Sequence, residues 1–223
     1  MKTSRLTFAA HPDAGAVSAI FQIPDRPIGL ATLAHGAGAG MEHPNMQRIS
    51  AALGHRQLAT FRYQFPFMER GGGRDRLEIS ISTVRQAAAT AHQLMPSMPL
   101  IAGGHSFGGR MTSMAAAAEP IPHVRGLFFC SYPLHPPGKP SDQRAIHLPQ
   151  ISVPVLFVSG TRDRMMTLER LQPALAAMSD RARLEWLETC DHGYRPLKRL
   201  RDANDDPLEE LADFIVEWFQ SLM

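Results

Sequence analysis

The stretch Leu100-Ile101-Ala102-Gly103-Gly104-His105-Ser106-Phe107-Gly108-Gly109-Arg110 joins an apolar run to an Ala- and Met-rich segment that continues to Ala118. Read as strand, tight turn and helix, it carries Gly104-x-Ser106-x-Gly108 at the turn. A serine so placed stands clear of the sheet with its hydroxyl exposed. Small residues two before and two after it let the backbone close without Cβ clashes. The helix that begins at Phe107 also turns its free N–H groups and positive dipole end toward an oxygen reacting at the serine. The bland alternative is a glycine-rich turn with an incidental serine. Partner residues downstream decide between the two.

The alternation of short apolar runs with helical periodicity extends along the whole chain. Ser4–Ala10 and Val17–Pro24 read as a β-hairpin around His11-Pro12-Asp13-Ala14-Gly15. Ile28–His35 is a third strand, ending in Gly36-Ala37-Gly38-Ala39-Gly40. Asn45–Arg56 reads as a helix with Met46, Ile49, Ala52 and Leu53 on one face, and Leu58–Phe65 as a strand. Glycines 71–73 form a loop, after which Asp75 is placed to cap a long helix reaching Met95. Strands follow at Val124–Ser131, Val153–Ser159 and Arg183–Leu187, with a helix at Leu168–Met178. Leu208–Leu222 closes the chain as an amphipathic helix with Leu208, Leu211, Ile215, Trp218 and Phe219 inward. Strands separated by helices of this length imply βαβ crossovers. The expectation is one three-layer α/β domain over residues 1–223, its sheet mainly parallel with an antiparallel N-terminal edge.

Composition narrows the function classes. The 223 residues are 44% hydrophobic and 20% charged, an ordinary globular balance that excludes disorder, collagen and coiled coil. No apolar run reaches the roughly 18 residues of a membrane helix, and the N-terminus, broken by Arg5, His11 and Asp13, has no secretory core. Net charge is +2, with no pull toward nucleic acid. The basic stretch Arg195, Lys198, Arg199 and Arg201 is followed at once by Asp202, Asp205 and Asp206, as on a solvated face. Cys130 and Cys190 lack metal-ligand spacing and read as buried reduced thiols, which suits the cytoplasm. No metal or cofactor is expected, and the composition leaves the oligomeric state open.

A serine hydroxyl is a weak nucleophile until a base takes its proton, and that base needs a carboxylate to hold its tautomer. Val155-Leu156-Phe157-Val158-Ser159-Gly160-Thr161-Arg162-Asp163 delivers an aspartate just beyond a buried strand. Leu184–Gly193 delivers His192 beyond the last strand, in the chain order Ser, acid, His. Asp191 competes as the acid, but residues adjacent in sequence seldom aim at one another, so it reads as a loop hydrogen-bonder. His35, His105, His123, His135 and His147 precede the last strand and suit structural or pocket-lining roles. An anionic acyl-transfer intermediate needs two preorganised donors. The N–H of Phe107 is one; the turn after the third strand supplies the other, Ala37 first and Gly38 second. That turn matches a dinucleotide-binding Gly-x-Gly-x-x-Gly poorly, and Thr60-Phe61-Arg62-Tyr63 brings no acid to the end of the next strand. Glycines 71–73 lack a P-loop ending and read as a rim loop.

With these residues in view, the chain resembles the α/β-hydrolase superfamily. In particular it is similar to the small dienelactone-hydrolase-like group that includes testis-expressed hydrolase-like proteins and the hydrolase-like domain of NSL complex subunit 3. The resemblance rests on HGAGAGM (35–41), FRYQFPF (61–67), GGHSFGGR (103–110), YPLHPPGKP (132–140), PVLFVSGTRD (154–163) and DHGY (191–194). It implies an α/β-hydrolase fold with nucleophile Ser106, acid Asp163 and base His192, and it brings no substrate.

Only about twenty proline-rich residues separate the strand ending near Ser131 from the next at Val153. A helical cap domain does not fit there, so the site is expected to be open, framed by loops 36–43, 63–74, 132–147 and 192–200. Met41, Tyr63, Phe65, Phe67, Tyr132 and Leu134 are candidate wall residues, with core packing as the alternative. Arg110, one turn beyond Ser106, is a candidate contact for a substrate carboxylate; its alternative is a tie between helix and loop. The expected activity is hydrolysis of a small carboxylic ester, thioester or lactone through an acyl-enzyme. A binding or scaffold protein with a vestigial triad is the alternative. A haloalkane dehalogenase would need aspartate at position 106.

Overall fold

A computed structural model describes residues 1–197 and 206–223. Lys198, Arg199, Arg201, Asp202 and Asp205 of the basic-then-acidic stretch lie outside the described residues. Among those described, eight strands make one sheet: β1 (Lys2–His11), β2 (Gly15–Ile23), β3 (Gly29–Ala34), β4 (Leu58–Tyr63), β5 (Leu100–His105), β6 (Val124–Cys130), β7 (Val155–Gly160) and β8 (Ala182–Leu187). Their order is β1-β2-β4-β3-β5-β6-β7-β8. The β1–β2 hairpin and the β2–β4 pair are antiparallel, and every pair from β4–β3 to β7–β8 is parallel.

The helices are α1 (Pro44–His55), α2 (Pro66–Glu69), α3 (Leu77–Leu94), α4 (Phe107–Ala118), α5 (Leu168–Met178) and α6 (Pro207–Ser221). Both faces of the parallel strands are covered, so alternate residues enter different cores. Leu30 and Ala34 of β3 pack with Val84 and Ala87 of α3, Met111 and Ala115 of α4 and Leu171 of α5. Ala31 and Leu33 join Met46, Ile49 and Leu53 of α1 with Leu211, Ile215, Trp218 and Phe219 of α6. Each fully buried Leu, Ile or Phe contributes about 1.5–3 kcal/mol relative to exposure.

Parallel crossovers bring the C-terminal ends of β3, β5, β7 and β8 to one edge of the sheet, where open α/β sheets place their sites. The β6–β7 connection carries one 3-10 turn, Leu148–Gln150, and no cap domain. It folds down instead: Tyr132, Leu134, Ala145 and Leu148 are buried.

Asp75 does not cap α3. Its Oδ2 accepts from the N–H of Phe67 at 2.7 Å and its Oδ1 from Arg70 Nη2 at 2.6 Å, so it pins the short α2 that the sequence reading missed. Pro66 begins α2 at a position where a missing N–H does no harm, which also ends β4 at Tyr63 rather than Phe65.

Candidate active site

Ser106 joins β5 to α4 with φ 52° and ψ −114°, a left-handed conformation that costs about 1–3 kcal/mol in a non-glycine residue. Its surroundings hold it there. A Cβ on either Gly104 or Gly108 would lie 2.5 Å from the Ala34 carbonyl oxygen, so the turn wedges against the end of β3. The N–H of Ser106 donates to Cys130 O at 2.9 Å, tying the turn to β6 on the other side.

Ser106 Oγ lies 2.9 Å from His192 Nε2, and His192 Nδ1 lies 2.7 Å from Asp163 Oδ2. The Asp163 side chain is fully buried, and its Oδ1 accepts from the N–H of Met165 at 2.8 Å. An ionised carboxylate only accepts, so His192 Nδ1 carries the hydrogen and Nε2 is left to accept from Ser106. Asp191 is used differently: its Oδ1 accepts from the N–H groups of Gly193 and Arg195, each at 2.9 Å, within its own loop.

Asp163 and His192 stand on separate loops that are stitched together. A Cβ on Gly160 would run into the Cys190 carbonyl, so only glycine lets the end of β7 come this close. The N–H of Arg162 donates to Cys190 O at 2.9 Å and that of Thr189 to Thr161 Oγ1 at 2.8 Å. Asn45 Nδ2 of α1 donates to Gly193 O at 3.0 Å.

Two further histidines brace the site. His105 Nε2 lies 3.0 Å from the carbonyl oxygen of His192, an acceptor, so this nitrogen carries the hydrogen. Burial first, and the charge of His192 second, lower the pKa of His105 to about 4, which keeps the ring neutral. His35 Nδ1 donates to Gly36 O at 2.8 Å while its Nε2 accepts from the N–H of Phe65 at 3.0 Å. Burial lowers the His35 pKa to about 4 as well.

The turn that follows β3 lies beside the serine: a Cβ on Gly36 would sit 3.2 Å from His105 Nδ1 and 3.7 Å from Ser106 Cβ. Ala37, next in the chain, is partly exposed. Phe107 is the first residue of α4, so helix geometry leaves its N–H without an intrahelical acceptor. Its ring packs on Phe65 and Phe67, with the Arg74 guanidinium 5.5 Å above it.

The expected aromatic wall is corrected. Met41, Tyr63, Phe65 and Tyr132 are buried, the last three completely, as are Phe67 and Leu134. They are packed into the interior and present almost no surface to a ligand. A doubly covered strand such as β4 buries both alternating sets, so its aromatics have no open face. Arg110 is partly buried beside Tyr132, Arg144 and His147, whose pKa burial first and the Arg110 charge second lower to about 4. The Arg110 Nε is buried without a hydrogen-bond partner among the described residues.

Beside His192 lies an open cleft of about 650 Å³ lined by Pro137, Arg162, Arg164, Met165, Asp191, His192, Gly193 and Arg195. The sequence reading missed its arginines, although Arg162 and Arg164 flank Asp163 in plain view. Among the described residues, no group of His, Cys, Asp and Glu is arranged to hold a metal ion, and no helix is long and apolar enough to cross a membrane. Cys130 and Cys190 are buried and form no disulfide among the described residues.

A family model described as an alpha/beta hydrolase domain matches residues 29–220. A dienelactone hydrolase from Anabaena variabilis superposes with a TM-score of 0.77 at 18% identity, covering 99% of this chain and 97% of that one. An alpha-beta serine hydrolase homologue from Coxiella burnetii gives 0.76 at 16% identity, covering 97% of each. A serine hydrolase without lid from Xanthomonas campestris gives 0.74 at 17% identity, covering 100% of this chain and 96% of that one. At such identities these structures speak for the fold. The family match, the sheet order and the uncapped β6–β7 connection together make this chain a member of the alpha/beta hydrolase family.

Proposed function

We propose that the chain, as one catalytic domain, is a cytoplasmic serine hydrolase that cleaves a small carboxylic ester, thioester or lactone. The observation that carries this reading is the hydrogen-bonded series Ser106 Oγ, His192 Nε2 and Nδ1, Asp163 Oδ2, at 2.9 and 2.7 Å. In the first half-reaction Ser106 Oγ attacks the acyl carbon while His192 Nε2 takes its proton. The N–H groups of Phe107 and Ala37 receive the charge on the carbonyl oxygen. His192 then gives the proton to the departing alcohol or thiol, leaving the acyl group on Ser106. Water, deprotonated by the same nitrogen, releases the acid. No step calls for a metal or cofactor.

Structural neighbours include a dienelactone hydrolase and an esterase domain, which supports ester chemistry. The uncapped site favours small acyl groups; Arg110, one turn beyond Ser106, is a candidate contact for a charged acyl substituent, with a tie between helix and loop as its alternative. The buried reduced thiols support the cytoplasmic placement. A fluorophosphonate probe tests the proposal, since labelling requires an activated serine. The wild type should label and turn over phenyl acetate. Ser106→Ala should fold, fail to label, and lose roughly 10³-fold or more in turnover. A wild type that neither labels nor hydrolyses would instead mark a scaffold with a vestigial triad.

A further inference from the structure

The cleft beside His192 has a charge pattern that the triad does not explain. Arg162, Arg164 and Arg195 line it with a single carboxylate, Asp191, so its formal charge is +2 (three positive, one negative). Among the described residues none of these three arginines has a carboxylate within ion-pairing distance, whereas elsewhere arginines do, as Arg48 with Asp206 and Arg56 with Asp213. Asp191 lines the cleft, but its Oδ1 is occupied by two backbone N–H groups of its own loop. Arg162 spends one donor on Thr189 O at 3.0 Å, and Arg164 and Arg195 are exposed. The chain as a whole is only +2, so this local excess is not a general property of its surface.

Position gives the excess a meaning. The leaving atom of an acyl transfer receives its proton from the base, so the leaving half of the substrate passes on the His192 side of Ser106. His192 itself lines this cleft. We infer that the cleft is a subsite for the leaving alcohol or thiol, and that this half carries a phosphate group. Guanidinium forks suit phosphate oxygens bidentately, and a local charge of +2 matches a phosphate dianion better than a carboxylate. The inference rests on the triad assignment for its orientation, but the anion site itself does not.

The test compares three acetyl esters of phenols: phenyl acetate, 4-acetoxybenzoate and 4-acetoxyphenyl phosphate. The acyl group is constant, and the leaving phenol differs in its para substituent: hydrogen, carboxylate or phosphate. The phosphate ester should show a kcat/KM about 10- to 100-fold above phenyl acetate, shrinking with added salt. In Arg164→Gln/Arg195→Gln the ratio should approach one, while Arg125→Gln, remote from the cleft, should keep it. Arg162 is retained in that variant because it also holds the Thr189 carbonyl. Equal kcat/KM values in the wild type, or a preference that survives the double substitution, would overturn the subsite. A preference for the benzoate matching that for the phosphate would overturn the phosphate assignment. A second arm is independent of turnover: calorimetry of 4-hydroxyphenyl phosphate binding to Ser106→Ala. Binding there that the double substitution weakens tenfold or more supports the subsite even if no ester is hydrolysed, an outcome that would sink the hydrolase reading alone. No binding in this arm overturns the subsite.

Discussion

Replacing Asp163 by asparagine changes one atom and tests the whole proton path. The two carboxylate oxygens have different partners: Oδ1 takes the N–H of Met165 at 2.8 Å, and Oδ2 faces His192 Nδ1 at 2.7 Å. An amide must keep its oxygen on the Met165 N–H, because turning it would set two donors against each other in a buried site. Its NH₂ then points at Nδ1 and donates to it. His192 is thereby forced to carry its hydrogen on Nε2, the nitrogen that has to accept from Ser106. Wrong-tautomer triads lose about 10⁴-fold in kcat, some 5.5 kcal/mol of barrier. Asp191→Asn should behave otherwise. An amide oxygen can still accept from Gly193 and Arg195, so less than about a tenfold loss is expected. Steady-state hydrolysis of phenyl acetate, with circular dichroism to confirm folding, reads both variants. An Asp163→Asn enzyme within tenfold of wild type would refute the reasoning, and so would Asp191→Asn proving the more severe.

Acid should destabilise the fold through His35, which is fully buried and has its pKa lowered from 6.5 to about 4. The unfolded chain takes up this proton below pH 6.5 and the folded chain only near 4, so stability is lost as pH falls across that window, by about 3 kcal/mol for this residue. Urea unfolding at pH 7 and pH 4 should show the loss; no decrease would mean His35 is not held neutral. With no lid to bury added methylenes, each worth about 0.8 kcal/mol if removed from water, kcat/KM should stay flat or fall beyond about four to six acyl carbons. A steady climb with chain length would reveal a buried acyl tunnel. Arg110→Met should depress hydrolysis of monophenyl succinate more than that of phenyl acetate; an equal loss on both, or a lowered melting temperature alone, would make Arg110 a structural tie.

What could be read in advance was what sterics and chain order dictate. Gly104 and Gly108 are legible because close approach to Ala34 leaves no room for a side chain, and that demand is written into the spacing. Asp163 and His192 are legible because each follows a strand in the order the chemistry needs. Aromatic side chains carry no such signal. Tyr63 and Phe65 look alike whether they line a wall or support one, because periodicity reports burial and not what lies above it. Small boundary errors have local causes: β7 begins at Val155 because Pro154 has no N–H to give the ladder, and β6 ends at Cys130 because Ser131 turns to φ 51°. Arg164 and Arg195 were invisible as a pair, since only the contact between two loops brings them to one cleft.

His105 and His35 show why the histidines of this site had to be sorted by surroundings and not by type. As the proposed base, His192 must keep its ring aimed at Ser106 although it stands on a loop with a quarter of its side chain exposed, at 26%. Fixing it needs a donor beneath its backbone carbonyl, and His105 Nε2 supplies that donor. A lysine or arginine could donate equally well, but its charge would oppose the proton that His192 must receive during attack. The two histidine rings repel when both are charged, and burial resolves the conflict by holding His105 neutral at working pH. The neighbouring turn follows the same logic: a neutral His35 clamps Gly36 against Phe65 while adding no cation of its own. Positive charge is thus kept out of the bracing immediately behind the base and gathered in the open cleft before it, where an anionic substrate can reach it.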